Sequence, residues 1–135
     1  MKTPQRIALT LVLAALCATA QAEWTEIQTF DDGMRVFVDK ATAQRSSGDT
    51  AQLSHLVRWG EPQQEDGIYP YRSTIVRTSY DCAGKHEKYL GSTSYAEPMG
   101  NGVKVTADDD EAEVWDSISE ESMEETLWKI ACDRN

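Results

Sequence analysis

The sequence predicts an α+β fold, with a single antiparallel sheet of about five or six strands and a C-terminal helix docked on it by a disulfide. Short segments in the middle of the chain alternate apolar and polar residues, which is typical of strands with one buried face. The pattern changes to a helical period near the C-terminus. Cys82 and Cys132 are the two thiols that would join the helix to the sheet.

Strand-like alternation recurs in six segments, of which the first is the weakest. These segments are residues 23–30, 34–39, 53–59, 71–80, 87–96 and 102–107. Their connections are short and rich in turn residues, and short connections join antiparallel neighbours because parallel strands need long crossovers. We expect residues 60–70, with two prolines, to form a polar loop, and Asn101-Gly102 to form a tight primed turn.

The last predicted element is a helix that follows Ser122. Ser122 and Glu125 have the spacing of a capping box, and Lys129 and Arg134 suit the negative end of the helix dipole. The apolar stripe of this helix consists of Met123, Leu127, Ile130 and Ala131. Cys132 lies in its last turn, so a bond to Cys82 would clamp the helix to the sheet. The loop closed is about 50 residues, worth about 4 kcal/mol by loop entropy.

The N-terminus has the features of a secretory signal peptide. Lys2 and Arg6 precede an apolar run over residues 7–17, and Ala20-Gln21-Ala22 is a cleavage site. We therefore expect residues 1–22 to be removed and residues 23–135 to form the domain. A retained anchor is the alternative, but the run is shorter than the ~20 residues that span a bilayer. The expected product has no stable insertion in the membrane.

Lipidation at Cys17 is a second alternative for the N-terminus. It would tether the protein to a membrane. Lipidation needs a small residue just before the cysteine, and this chain has the bulky Leu16 there. The Ala-Gln-Ala site downstream is better, so a soluble product is favoured.

The predicted mature chain is strongly acidic. Cleavage removes Lys2 and Arg6, so the 13 basic residues become 11 against 23 acidic ones, a net charge of −12. Such a surface repels phosphate backbones, which makes nucleic acid an unsuitable partner. It favours solubility and basic partners.

Cys82 is followed by a histidine four residues later, a spacing that raises metal or haem binding as an alternative to the disulfide. The two cysteines left after cleavage and the two histidines, His55 and His86, are irregularly spaced, whereas structural zinc takes about four ligands. An even cysteine count in an oxidising compartment favours the Cys82–Cys132 disulfide. We expect no metal and no cofactor.

Catalytic signatures are also lacking in the sequence. No serine lies in a G-x-S-x-G elbow, and no cysteine is left free to act as a nucleophile.

Residues 108–125 hold ten acids and no base, but the acids are contiguous and lack the alternation and glycine of a calcium loop. A solvated, poorly ordered loop is the expectation for this stretch, and we predict a protein that is not an enzyme.

One region carries an excess of basic residues. Between residues 68 and 96 four bases face only two acids, and three tyrosines alternate with them. Such a strand pair could bind a protein, because tyrosine and arginine are frequent in interface centres. An ordinary strand pair with charged solvent-facing positions is the alternative. The candidate binding residues are Arg72, Arg77, Lys85, Lys88, Tyr71, Tyr80 and Tyr89.

The order of several motifs resembles the bacterial surface-adhesin protein E family. That family has a Tyr-x-Ser strand running into Asp/Asn-Cys, a glycine-containing turn, a Trp-x-x-Ile segment and a final helix with Leu-Trp-x-x-x-Cys. The matching residues here are Tyr71-x-Ser73, Asp81-Cys82, Gly100 to Gly102, Trp115-x-x-Ile118 and Leu127-Trp128-x-x-x-Cys132. The likeness covers most of the mature chain.

The resemblance implies an antiparallel sheet with a disulfide-docked C-terminal helix, and export to the periplasm or surface of a Gram-negative bacterium. For the founding adhesins it implies binding of host matrix proteins. The weak lipidation site and the acidic charge depart from those adhesins. We therefore expect a non-catalytic binding protein with a protein partner. Formation of a homodimer is a further possibility. The alternatives are a periplasmic structural protein, an inhibitor of a cationic enzyme such as lysozyme, or a haem or metal carrier.

Overall fold

One antiparallel sheet and one helix make up the part of the chain that the structure describes. A computed structural model describes residues 22–133. The strands are β1 Thr25–Thr29, β2 Arg35–Val38, β3 Gln44–Arg45, β4 Thr50–Glu65, β5 Ile68–Asp81, β6 His86–Tyr95, β7 Lys104–Asp108 and β8 Asp116–Ser117, and the helix is α1 Met123–Ala131. Single 3-10 turns cover Lys40–Thr42 and Pro98–Gly100.

Within residues 22–133 the sheet has eight strands, so the predicted number of about five or six is wrong. Six strands follow the order β1-β2-β4-β5-β6-β7, and these correspond to the six segments with strand-like alternation. The other two, β3 on β4 and β8 on β6, are only two residues long. A two-residue strand has no periodicity, so its sequence gives no signal.

The predicted polar loop over residues 60–70 is instead a projecting β-hairpin. β4 continues to Glu65 and β5 begins at Ile68. The pairing of β2 with β4 ends at Arg58, and that of β6 with β5 ends at Ser73, so the hairpin extends beyond both neighbouring strands. Proline is accepted there because its missing N–H has no neighbouring strand to bond.

The helix packs on one face of the sheet, which we call the helix face. Ser122 caps α1, accepting a hydrogen bond from the Glu125 amide at 3.1 Å, as the capping box predicts. The Trp128 indole donates to the Asp81 carbonyl at 2.8 Å. The buried cluster beneath the helix consists of Val38, Ala51, Leu53, Tyr80, Cys82, Ile118, Leu127, Trp128, Ala131 and Cys132.

The predicted disulfide is present and joins the helix to the end of β5. Cys82 and Cys132 have Cα atoms 5.5 Å apart, and both residues are buried. Cys82 directly follows the last residue of β5, and Cys132 caps α1. The bond therefore fixes the C-terminal turn of the helix to the edge of the sheet where β5 ends and β4 begins.

The opposite side of the sheet, which we call the outer face, is partly covered by the loop between β6 and β7. The buried Ser73 hydroxyl donates to the Glu97 carbonyl at 2.6 Å and accepts from the Gly100 amide at 2.9 Å. Gly100 has φ +71°, and a Cβ there would lie 3.1 Å from Ile75 Cδ1. A 3-10 turn thus replaces the expected tight turn at Asn101-Gly102, because this loop must seal the outer face.

Some predictions fall on residues outside the described range. They concern the signal peptide apart from Ala22, the lipidation alternative at Cys17, and the role of Arg134 at the helix end. Within residues 22–133, no helix is long and apolar enough to cross a membrane.

Candidate functional site

Two of the four predicted basic residues share a notch on the outer face. Ser79 pairs with Lys88 and with Gln52 in the ladder, and paired residues lie on the same face of a sheet. Arg77, two residues before Ser79 on β5, points the same way. Arg77 and Lys88 line an open cavity of about 460 Å³, together with Ser46, Thr50, Gln52, Ser79, Leu90, Asp109, Glu111 and Trp115.

Acids from residues 108–125, which we call the acidic segment, neutralise these two cations. Arg77 Nη2 lies 2.7 Å from Asp109 Oδ1, and Lys88 Nζ lies 2.5 Å from Glu111 Oε1. The Lys88 ammonium also lies 5.5 Å from the centre of the Trp115 ring, a cation–π distance. The notch therefore has both charge signs and an aromatic ring, but no free positive excess.

The acidic segment is largely exposed to solvent, as the sequence predicts, but it is tied to the sheet instead of being poorly ordered. The Ala112 amide donates to the Tyr89 carbonyl at 2.9 Å, and the Ile118 amide donates to the Lys85 carbonyl at 3.2 Å. Between them, β8 pairs with the start of β6. The acids of this segment meet bases from β5 and β6, which lie too far away in the sequence for the composition of the segment to indicate them.

Lys85 lies apart from the notch, in the turn between β5 and β6. Its ammonium pairs with Glu125 of α1 and lies 5.9 Å from the centre of the Trp128 ring. Lys85 has φ +55°, a left-handed conformation that is uncommon outside glycine. These contacts join the turn to the helix, which is a structural role.

Arg72 lies at the other end of β5, roughly 30 Å from the turn that holds Lys85 at the usual rise per residue. Together with Arg58 it lines a second notch, of about 490 Å³, whose other lining residues are Glu97, Pro98, Met99 and Asn101. The four predicted basic residues therefore do not converge on one patch.

The predicted tyrosines also divide. Tyr80 is 0% exposed and belongs to the core under the helix, so it offers no surface to a partner. Tyr71 is 8% exposed, and its hydroxyl donates to Glu65 at 2.8 Å. Tyr89 is half-buried, with its hydroxyl 2.9 Å from both Ser92 and Asp108. Burial of both faces of β5 explains the misplacement, because alternation then no longer distinguishes exposed from buried positions.

Within residues 22–133 the exposed aromatic side chains are Tyr69 and Trp115, and neither is among the predicted binding residues. Tyr69, near the tip of the projecting hairpin, is 84% exposed, and Trp115 in the acidic segment is 40% exposed. Neither belongs to an alternating pattern, so periodicity gave no signal. Trp115 does lie in the Trp-x-x-Ile motif, where the buried Ile118 anchors the segment.

The histidines lie in different surroundings. His86 Nδ1 lies 3.5 Å from Asp81 Oδ2 beside the disulfide turn. His55 is buried on the helix face, and burial lowers its pKa to about 4 despite the opposing charge of Glu124. Its Nδ1 has no hydrogen-bond partner within residues 22–133. In the same range, His, Cys, Asp and Glu side chains do not form a group of three suited to a metal ion.

One acid on the helix face is also perturbed. Burial raises the pKa of Glu87, and the charges of Glu124 and Asp116 raise it further. Glu87 lies opposite Tyr80 and Asp116 in the ladder. Burial raises the pKa of the Tyr80 hydroxyl, and the charge of Glu87 raises it further.

Comparison with solved structures shows the fold. The chain is similar to Haemophilus influenzae protein E in its crystal form II, with a TM-score of 0.64 and 14% identity over 80% of this chain and 87% of that one. A structure of protein E from non-typeable Haemophilus influenzae gives a TM-score of 0.62 and 14% identity, covering 84% and 79%. No curated protein sequence matches the chain.

The family of the chain is shown by a match to a protein-family model. The model described as Surface-adhesin protein E matches residues 24–133, which is most of the chain and includes β1 through α1. The family motifs have structural roles in this fold. The serine of Tyr-x-Ser anchors the loop between β6 and β7, Asp-Cys lies at the end of β5, and Leu-Trp-x-x-x-Cys docks the helix on the sheet. The chain therefore belongs to the surface-adhesin protein E family, whose members are exported to the cell surface of Gram-negative bacteria.

Proposed function

We propose that this protein acts by binding another protein, without catalysis, through the outer-face notch around Arg77, Lys88 and Trp115. The observation that carries the proposal is the exposed Trp115 ring beside two ion pairs that bridge the sheet and the acidic segment. Tryptophan and arginine dominate the energetics of protein interfaces. Family membership supports a binding role over a chemical one.

The ion pairs prepare the notch for binding. Arg77 forms a short ion pair with Asp109, and Lys88 forms one with Glu111. These pairs hold the charged side chains of the notch in position before a partner binds. A partner then has fewer side chains to order, which lowers the cost of association. Because each cation has its acid, the notch suits a mixed polar surface with an apolar group to place on Trp115.

Host matrix proteins are the partner class that the family resemblance suggests. The experiment immobilises the protein from Glu23 onward and measures binding to a panel of host matrix proteins, to an envelope extract and to a lysozyme. N-terminal sequencing of exported protein is expected to give Glu23, since Ala22 ends the cleavage site. Binding to a matrix protein is the expected result, and binding to the lysozyme alone would favour an inhibitor.

Variants locate the contact once a partner is captured. The triple change Arg77→Gln, Lys88→Gln and Trp115→Ala is expected to weaken binding at least tenfold, because it removes the ring and both cations. Tyr69→Ala is the matched control, since it removes an even more exposed aromatic ring at the far end of the sheet. Equal binding by the triple variant and the wild type would place the contact elsewhere.

A further inference from the structure

Two arginines face each other across neighbouring strands without an acid between them. Arg35 of β2 lies directly opposite Arg58 of β4 in the ladder. Like charges in directly opposed positions destabilise a sheet. Arg35 has one distant partner, with its Nε 3.9 Å from Glu26 Oε1. In a chain with 23 acids against 13 bases, such a pair calls for an explanation.

Arg72, on the strand beyond Arg58, adds a third guanidinium to this end of the sheet. Arg58 is opposite Ser73, so strand alternation directs the side chain of Arg72, one residue earlier, toward the other side of β5, and it reaches the notch at the end of the strand. Arg58 and Arg72 line the same notch of about 490 Å³. Within residues 22–133, neither guanidinium forms an ion pair or a hydrogen bond, in contrast to Arg77, Lys85 and Lys88.

The wall of this notch is held in a defined shape. The Ser73 hydroxyl fixes the loop at the Glu97 carbonyl and the Gly100 amide. Between these anchors Met99 has φ +62°, a conformation that non-glycine residues adopt rarely and that clusters at binding sites. Pro98 and Met99 make one side of the notch apolar. Glu97 also lines it, but its carboxylate pairs with neither arginine.

We propose that the Arg58–Arg72 notch binds carboxylate side chains from an acidic peptide segment of a protein partner. The planar guanidinium fork binds carboxylates through two parallel hydrogen bonds, and two forks on adjacent strands suit two neighbouring acids. Pro98 and Met99 would contact the aliphatic parts of the segment. An extended sulfated or phosphorylated polymer fits less well, because the mature net charge of −12 repels it outside the notch.

This site rests on the proposed function only in that the partner is a protein, and its test needs no identified partner. The protein from Glu23 onward, labelled with ¹⁵N, is titrated with acetyl-Glu-Asp-Glu-amide while the arginine Nε–Hε signals are followed by NMR. Saturable shifts of the Arg58 and Arg72 signals are expected, with smaller shifts at Arg45 and Arg77. The neutral peptide acetyl-Gln-Asn-Gln-amide is expected to shift neither notch signal.

Single substitutions sharpen the test. Arg72→Gln is expected to weaken the tripeptide about tenfold and Arg72→Lys severalfold, because lysine keeps the charge but loses the fork. Glu97→Gln is expected to tighten binding at least twofold, since it removes the competing acid of the notch. Lys40→Gln, on an exposed cation outside the notch, is the matched control and is expected to leave affinity unchanged.

Several results would overturn the proposal. One is an equal response to the neutral peptide, and another is the absence of saturable shifts up to the solubility limit of the acidic one. Dextran sulfate that saturates the Arg58 and Arg72 signals at a lower charge concentration than the tripeptide would favour an extended polyanion instead. Loss of this site would leave capture of a protein partner at the Trp115 notch unaffected, so the two proposals fail separately.

Discussion

The two faces of the sheet differ in what their side chains do. On the helix face, Leu127, Trp128 and the Cys82–Cys132 bond form a buried cluster. On the outer face, two open notches hold charged side chains, and a loop fixed by Ser73 lies between strand residues and solvent. The first arrangement removes apolar area from water, while the second keeps polar groups accessible.

The contrast suggests that stability and recognition are separated in this fold. Substitutions of the buried residues on the helix face then change the free energy of unfolding, whereas those of the exposed charged and aromatic residues on the outer face change association. The free energy of unfolding depends mainly on apolar burial and on the long loop that the disulfide closes. Association depends mainly on charge and aromatic contact. Three experiments test the separation.

The largest expected effect is on the disulfide. The double change Cys82→Ala and Cys132→Ala is expected to lower the free energy of unfolding by about 4 kcal/mol, because the bond closes a 50-residue loop. Urea unfolding of both proteins measures the difference. Mass spectrometry of periplasm-folded wild type should also give a linked Cys82–Cys132 peptide, and free thiols at both positions would contradict this prediction.

The second effect is a pH dependence from His55. Its folded pKa of about 4 lies below the unfolded value of 6.5, so the unfolded chain binds the extra proton first as pH falls. Stability should therefore decline from pH 6.5 towards pH 4, by about 2 kcal/mol between pH 7 and pH 5. Urea unfolding at both pH values should show this decline in the wild type.

The control for this prediction is His55→Leu, which keeps the site apolar and removes the titrating group. Only the difference between the two proteins is attributed to His55, because Glu87, with its raised pKa, contributes the opposite trend in both. A leucine variant that loses the same free energy on acidification would contradict the assignment to His55. Apolar replacement of a buried, unpartnered polar group is expected to be close to neutral at pH 7.

The smallest effect on stability is expected for the triple change of Arg72, Arg77 and Lys88 to glutamine, which leaves the Lys85–Glu125 ion pair intact. Surface substitutions usually change stability by within about 0.5 kcal/mol each, whereas lost charge slows association and flattens its salt dependence. Stopped-flow or biosensor kinetics against a captured partner measure both. The matched control changes Lys40, Lys104 and Lys129 to glutamine. Equal slowing by the test variant and this control would indicate a general charge effect rather than a site.

The sequence was sufficient for the elements whose residues repeat a local pattern. The six longer strands, α1 with its Ser122 cap, and the disulfide all follow from periodicity, spacing or cysteine count. It was not sufficient for β3 and β8, which are too short to show a period. The prolines of the projecting hairpin suggested a loop, because nothing local shows that neighbouring strands stop short of them.

The candidate site was only partly predictable, because its contacts join residues far apart in the chain. Arg77 is among the predicted binding residues, but its partner Asp109 is 32 residues away in the chain. The opposition of Arg35 and Arg58 depends on the register of β2 and β4, which alternation alone does not define. The sequence predicts Tyr80 at a binding surface, but it lies in the core, because a central strand with two buried faces hides the alternation that would distinguish the two positions.

The projecting hairpin affects how readily copies of the protein associate when many of them lie close together. Two strands that extend past their neighbours leave backbone donors and acceptors open along both sides, which invites one molecule to add to the sheet of the next. Pro62 and Pro70, one on each strand, cannot donate a hydrogen bond and so interrupt that template. On a crowded cell surface these prolines would keep copies from stacking into fibres and leave the tip, with Tyr69, accessible.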